Sequence, residues 1–292
     1  MDQSLKKVLL VYKKSAYSIY FMERKLQLPI GKKINLKEEL HRFKKAHDEH
    51  HQTLKKIENI LSSYGVNYKK HCRGGKISYS RYDLVITVGG DGTFLEASQK
   101  IKNQTILGVN SAPSFSVGKL CSASAKNFET MVQCIVKKRF TLSFLQRLRL
   151  QLEGHIRPVD CVNDILVCHS NPAAMSRYYL GIGKIKEEQR SSGLWVATPS
   201  GSSGAIKSAG GQCFRSKERK MQYMPRELYY GFNKDYRLTG DILKTDQTMF
   251  VTSLMRNGMI YVDGTHNNFK FPYNSTLKIS FSPNPLRVFK VK

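Results

Sequence analysis

Along the first part of the chain, short unbroken apolar runs alternate with longer amphipathic stretches. VLLVY (8–12) and LVITV (84–88) are β-branched and apolar throughout, as expected of strands covered on both faces. Leu36, Leu40, Phe43, Leu54, Ile57 and Leu61 recur at helical spacing, and the spacing predicts one helix running to about Ser63, capped by Asn35 and stopped by Gly65. Strands are also expected over 66–70 and 106–109 and a helix over 93–101, with the polar loop HCRGGKISYS between. Strand and helix alternate, the pattern of a parallel sheet with crossovers. After about Ala125 the pattern changes: 140–152, 161–168, 178–185, 194–198, 249–253, 259–262 and 277–281 are short β-rich segments with weak helical periodicity. An α/β domain followed by an all-β domain is the reading.

Length and composition fit that division. The chain has 292 residues, of which 40% are hydrophobic, enough for two real cores. No segment approaches the roughly 20 apolar residues that span a bilayer. MDQSLKKVLLVYKKSAY lacks a small-residue cleavage site and is read as folded structure, not a signal peptide. Six scattered cysteines without a C-x-x-C pair are expected to be reduced and structural, which suits a cytoplasmic protein better than a disulfide framework or a zinc site. His47 and His51 have a metal-ligand spacing, but H-E-x-x-H is absent and HDEHH is read as a solvated face. The net charge of +26 suits either a nucleic-acid binder or a protein with polyphosphate ligands. Its even spread, without a basic arm, decides between neither.

The candidate chemistry sits at the end of the second apolar run, in GGDGT (89–93). Glycines directly after a buried strand let backbone N–H groups approach an anion, and the following helix adds its positive dipole end. Phosphate is the expected ligand. Asp91 opposes a phosphate, so it has a role there only if it takes a proton from a hydroxyl or holds a metal that holds the phosphates; otherwise it caps the helix.

GGDGT after a strand resembles the superfamily that joins NAD kinases, diacylglycerol and sphingosine kinases, and phosphofructokinases. Three further stretches resemble NAD kinases in particular: Asn163 and Asp164 in CVNDILV, RSSGLWVATPSGSSGAIKSAGG (190–211), and MIYVDGT (259–265). The resemblance implies an N-terminal α/β, Rossmann-like domain over 1–125 with 275–292 returning to it, and a β-rich, sandwich-like dinucleotide-binding domain over 126–274. It implies transfer of the terminal phosphoryl group of ATP, with a divalent metal (Mg²⁺), to the adenosine-ribose 2′-hydroxyl of NAD or NADH. Asp91 would be the general base. Gly90, Gly92 and Thr93 would hold phosphate oxygens, and Asn163 and Asp164 the adenosine half. Arg190, Ser192, Thr198, Ser203, Gly204, Ala205 and Ser208 of the long signature would be nucleotide-binding, and a homodimer or homotetramer is implied. No dedicated protein metal site, nucleic acid or membrane partner is expected.

Three positions depart from the usual family pattern. Ser192 replaces an acidic residue, Ala205 a tyrosine, and Asp164 a glutamate. These and NPAAMSRYYL and VNSAPSFSVGKLC resemble the plant NADH kinase and animal mitochondrial branch, so redox preference is the property in question. Asn110 is either a turn former or a site residue. Trp195 is read as core or interface. Ser200, Ser202, Ser203 and Ser208 could be ordinary loop residues, but Gly201, Gly204, Gly210 and Gly211 among them suggest close backbone approach to a ligand. Two other classes compete: a lipid kinase of the same superfamily, lacking here its glycine-threonine-glycine element before Asn163, and a non-catalytic nucleic-acid binder suggested only by charge.

Overall fold

A computed structural model describes residues 7–25, 36–155, 157–231 and 235–291. The chain divides into two compact units, Met1–Ser143 with Arg287–Lys292, and Phe144–Leu286.

In the first unit, strands are ordered Tyr68–Cys72, Val8–Tyr12, Leu84–Gly89, Thr105–Asn110, Leu286–Val291, Phe140–Leu145, and Ala123–Ser124 pairs with Thr105–Asn110. The central pairs are parallel, with Val8 opposite both Tyr68 and Leu84, and Leu84 opposite Thr105. Leu84–Gly89 and Thr105–Asn110 are buried at every residue, which is why they read as apolar runs without alternation. Helices α1 (Leu36–Ser63), α2 (Asp91–Lys100) and α3 (Phe128–Val136) accompany the sheet. Leu54, Ile57 and Leu61 of α1 and Phe128, Met131 and Val132 of α3 share one core with the strands. Asn35, the expected cap of α1, lies outside the described residues. The apolar stripe of α1 is buried only in its second half; Leu40 is 37% exposed.

Two expected boundaries move. The division falls after Ser143, not at 125, because α3 buries its apolar face in the first core. The returning tail begins at Arg287, not 275, because Thr276–Phe281 is an interior strand of the second unit, paired with Met249–Ser253 and Leu148–Leu152.

The second unit contains two six-stranded antiparallel sheets. One is ordered Ile185–Ser191, Ser176–Ile182, Met249–Ser253, Thr276–Phe281, Leu148–Leu152, Val159–Cys161. The other is ordered Asp241–Leu243, Met221–Arg226, Gly193–Ala197, Asp164–His169, Gly258–Val262, Asn268–Phe271. Alternate residues of each (Tyr178, Leu180 and Ile182; Met249 and Val251; Ile165 and Val167; Leu194 and Val196) join one core, the arrangement of a sandwich. Within 140–152 the expected single β segment is two strands, and only Leu148–Leu152 belongs to the sandwich. A fourth helix, α4 (Ala205–Ser208), is a single turn after the glycine-rich loop.

Candidate functional site

In the first unit, strand 84–89 delivers the glycine turn. A Cβ on Gly89 would lie 2.2 Å from Oγ1 of Thr93, so only glycine lets the strand pass so close to the helix it feeds. Gly90 precedes α2 in extended conformation and gives it no side-chain cap. Asp91 opens α2 but does not cap it. Its Oδ2 accepts from the Lys119 N–H (3.0 Å) and its Oδ1 from the Leu120 N–H (2.7 Å), which pins segment 118–120 beside the turn. Each oxygen keeps a further lone pair for a hydroxyl proton. The Cys121 thiol is pushed up to about 12 by burial and by the charge of Asp91, so it is no competing nucleophile. Thr93 is buried with its hydroxyl directed back toward Gly89, so the turn offers N–H groups to a ligand and not this hydroxyl. Asn110 is buried, donates Nδ2–H to the Ser116 carbonyl (2.8 Å) and accepts from the Ala112 N–H (3.2 Å), the behaviour of a turn former.

His50 departs from the solvated reading of HDEHH. It is 1% exposed, with Nδ1 2.8 Å from Ser111 Oγ and Nε2 2.8 Å from the Lys13 carbonyl. A carbonyl only accepts, so Nε2 carries the proton and Nδ1 accepts from the serine. Burial, then Lys13, pulls its pKa down to about 4, so the ring stays neutral. It ties the ends of the strands flanking Leu84–Gly89 to α1. No spacing in the sequence signals this, because both partners are distant in the chain.

In the second unit a second constellation forms where Gly193–Ala197, Asp164–His169 and Gly258–Val262 lie side by side. Asn163 Nδ2–H donates to Asp164 Oδ2 (2.9 Å). The signature loop folds against this pair: the Thr198 N–H donates to the Asn163 carbonyl (3.0 Å), and Thr198 Oγ1–H to the Val162 carbonyl. A Cβ on Gly201 would stand 2.0 Å from the Asn163 oxygen, and one on Gly204 3.5 Å from Asp164 Oδ2. Here the glycines serve close backbone approach. Asp263, in YVDGT, was not singled out in the sequence. Its carboxylate accepts from the N–H groups of Val162 (3.1 and 3.0 Å) and Asn163 (2.6 Å) and from the Cys161 thiol (3.1 Å), and its own N–H donates to the Asp164 carbonyl (2.9 Å). Asp263 therefore shapes the turn that presents Asn163 and Asp164. Burial, then the charge of Asp263, pushes the Asp164 carboxyl up to about 7, against the lowering effect of the Asn163 amide.

Not every residue of the signature joins this group. Ser192 precedes strand Gly193–Ala197, while Ala197, at its end, pairs with Asp164. Five strand residues put them roughly 16 Å apart. Arg190 lies beyond Ser192, opposite Arg177 and bonded to Glu188 (3.2 Å). Ala205 and Ser208 are exposed on α4, and Ser203 is half-buried in the loop before it.

Residues 8–140 match the family model described as the ATP-NAD kinase N-terminal domain. Over 273 residues the chain is 34% identical to an Arabidopsis thaliana protein named "NADH kinase", covering 82% of this chain and 83% of that one. The chain belongs to the NAD kinase family. An Oryza sativa protein named "Probable NADH kinase" is 36% identical over 228 residues, 70% of each chain. An NAD kinase from Archaeoglobus fulgidus, solved in complex with ATP, has the same fold, with a TM-score of 0.69 at 22% identity over 97% of this chain and 93% of that one.

Proposed function

We propose that this member of the NAD kinase family transfers the terminal phosphoryl group of ATP to the adenosine-ribose 2′-hydroxyl of NAD or NADH. The observation that carries this reading is the carboxylate of Asp91 at the head of α2, directly after the glycine turn, in a chain whose relatives are named NAD and NADH kinases. A sugar hydroxyl is a poor nucleophile. Asp91 accepts its proton as the new P–O bond forms, and the N–H groups of the turn steady the phosphate oxygens. Asn163 and Asp164 bind the adenosine half through hydrogen bonds, so unit 144–286 is the dinucleotide-binding part. A divalent metal (Mg²⁺) would arrive with ATP and would offset the phosphate charge during transfer, and no residue of this chain is assigned as its dedicated ligand.

Ser192 and Ala205 remove the acidic and aromatic groups that would favour the nicotinamide cation, and the two plant relatives are named "NADH kinase" and "Probable NADH kinase", which supports NADH as an accepted substrate. The separation of Arg190 and Ser192 from Asp164 supports a homodimer or homotetramer, in which these residues serve a second copy's dinucleotide. Among the described residues no helix is long and apolar enough to cross a membrane. The scattered cysteines, without a C-x-x-C pair, suit a cytoplasmic protein. The test is direct. Purified protein incubated with ATP, Mg²⁺ and either NAD or NADH yields NADP(H); recovery of unmodified dinucleotide alone would overturn the proposal.

A further inference from the structure

Two exposed tyrosines of the second unit have no part in the assignments above. Strand Met221–Arg226 pairs with Gly193–Ala197, Arg226 opposite Gly193, and the Arg226 carbonyl accepts the Ser192 N–H (2.9 Å). Directly afterwards the chain turns at Glu227, whose φ of 47° lies in the left-handed region that a glutamate seldom adopts. The turn brings the next residues back beside strand Ile185–Ser191, where the Tyr229 N–H donates to the Arg190 carbonyl (2.9 Å). Tyr229 is 43% and Tyr230 60% exposed. Both rings are nonetheless held in place. A Cβ on Gly231 would lie 2.3 Å from the Tyr229 ring, so that ring rests on backbone that only glycine leaves bare. Tyr230 meets Tyr236 edge-on, with centroids 5.6 Å apart, and the Tyr236 hydroxyl donates to the Tyr229 carbonyl (3.0 Å). Two fixed rings thus face solvent on a strained turn beside Arg190 and Ser192.

We propose that Tyr229 and Tyr230 form the aromatic face for the nicotinamide ring of the dinucleotide bound by a second copy of this chain. This role rests on the reading above that Arg190 and Ser192 serve a second copy's dinucleotide, and it deepens that reading by naming the side chains that meet the nicotinamide. Position is the first support: the tyrosine turn is bonded through its backbone to Arg190, and the strand that leads into it is bonded to Ser192. The second is a gap in the signature. Ala205 is exposed on α4, so a methyl group stands where the family usually has a tyrosine ring. The third is rigidity: rings already fixed by Gly231 and Tyr236 lose little freedom when a ligand stacks on them. Charge does not compete as an explanation, because Arg190 and Arg226 are matched locally by Glu188, bonded to Arg190 (3.2 Å), and Glu227. A nicotinamide stacks on such rings in either oxidation state, and the cation of NAD⁺ gains a further attraction to the ring face.

The experiment measures kcat and KM for NAD⁺, NADH and ATP, and calorimetric Kd for both dinucleotides, in the full chain and in Tyr229→Ala, Tyr230→Ala and Tyr230→Phe. Sedimentation follows the assembly of each. The alanine variants are expected to raise KM and Kd for both dinucleotides about tenfold, the scale of one lost stacking contact, with the larger rise for NAD⁺. Tyr230→Phe keeps the ring and should stay within about twofold of wild type, as should the KM for ATP in every variant. A hybrid then tests the second copy. Chains carrying Asp91→Asn and chains carrying both Tyr229→Ala and Tyr230→Ala are co-expressed with different tags and purified as the mixed assembly. One copy's Asp91 then meets the other copy's tyrosines, so the hybrid should outperform both parents at low dinucleotide concentration. Unchanged dinucleotide KM and Kd in the alanine variants, a monomeric wild type, or a hybrid no better than its parents would overturn the proposal while leaving a wild-type kinase activity standing. Alanine variants that loosen the assembly without weakening dinucleotide binding would overturn it too. Conversely, a wild type that makes no NADP(H), but whose dinucleotide Kd rises in Tyr230→Ala, would keep the aromatic site and remove the kinase reading.

Discussion

Replacing Asp263 tests how the second unit presents Asn163 and Asp164, the pair proposed to hold the adenosine half. The carboxylate accepts two backbone N–H groups, those of Val162 and Asn163, and Cys161 and Val162 are fully buried. Asp263→Ala leaves both N–H groups without an acceptor. At about 1–3 kcal/mol for each buried unsatisfied donor, and with strain from alanine at a φ of 54°, the loss is about 2–5 kcal/mol. Asp263→Asn keeps one acceptor oxygen and tolerates that backbone angle, so it should lose about 1 kcal/mol.

The two variants also separate packing from charge. Native Asp164 holds its proton up to about pH 7, whereas unfolded Asp164 releases it near 4. Between those values the folded chain binds more protons, so stability falls as pH rises, by up to about 1.4 kcal/mol per unit. Burial is the larger cause and remains in Asp263→Asn; the contribution of Asp263 is removed, so the pH window over which stability falls should close earlier, at its upper end, and the total loss should shrink. Trp195 is the only tryptophan and sits on the strand paired with 164–169, opposite Leu166, so its fluorescence follows urea unfolding of this sheet. An Asp263→Ala protein within about 0.5 kcal/mol of wild type, or an Asp263→Asn protein that loses stability over the same pH window as wild type, would refute the reasoning.

Asp91→Asn keeps one of the two acceptors for segment 118–120, so it should fold and lose about a hundredfold or more in turnover; near-normal turnover would leave Asp91 as a loop anchor only. Asp164→Ala should weaken dinucleotide binding about ten- to a hundredfold while leaving ATP binding unchanged, as measured by calorimetry with each ligand. Gly201→Ala places a methyl against the Asn163 carbonyl and should cost dinucleotide affinity as well as stability, read by the same calorimetry and by Tm. The ratio of kcat/KM for NADH and NAD⁺ should lie within about a hundredfold, a gap of about 2.7 kcal/mol; a larger preference for NAD⁺ would contradict the argument from Ser192 and Ala205.

What the sequence disclosed follows from how local each signal is. VLLVY and LVITVG announce themselves because strands covered on both faces have no polar side to interrupt them. Phe128, Met131, Val132 and Ile135 do have helical spacing, but a β-rich stretch follows so closely that the local pattern does not separate the nine-residue α3 from it; only its packing in the first core does. Thr276–Phe281 looks like any β segment; only its pairing with Leu148–Leu152 assigns it to the sandwich. The signature 190–211 reads as one motif, yet a fully extended strand runs through it and carries Ser192 away from Asp164. His50 and Asp263 stayed hidden for a related reason. Their partners stand 61 and 100 residues away, at Ser111 and Asn163, and a polar residue in a polar stretch gives no sign of a distant acceptor or donor.

The central claim is phosphoryl transfer to a dinucleotide with Asp91 as the base. The most direct measurement compares wild type and Asp91→Asn for conversion of NAD and NADH, with Mg²⁺ and ATP labelled in its terminal phosphate, and locates the label in the product. Label at the adenosine-ribose 2′ position with wild type, reduced about a hundredfold or more in the variant, is the predicted result. Unlabelled dinucleotide with wild type, or equal labelling by both proteins, would contradict it.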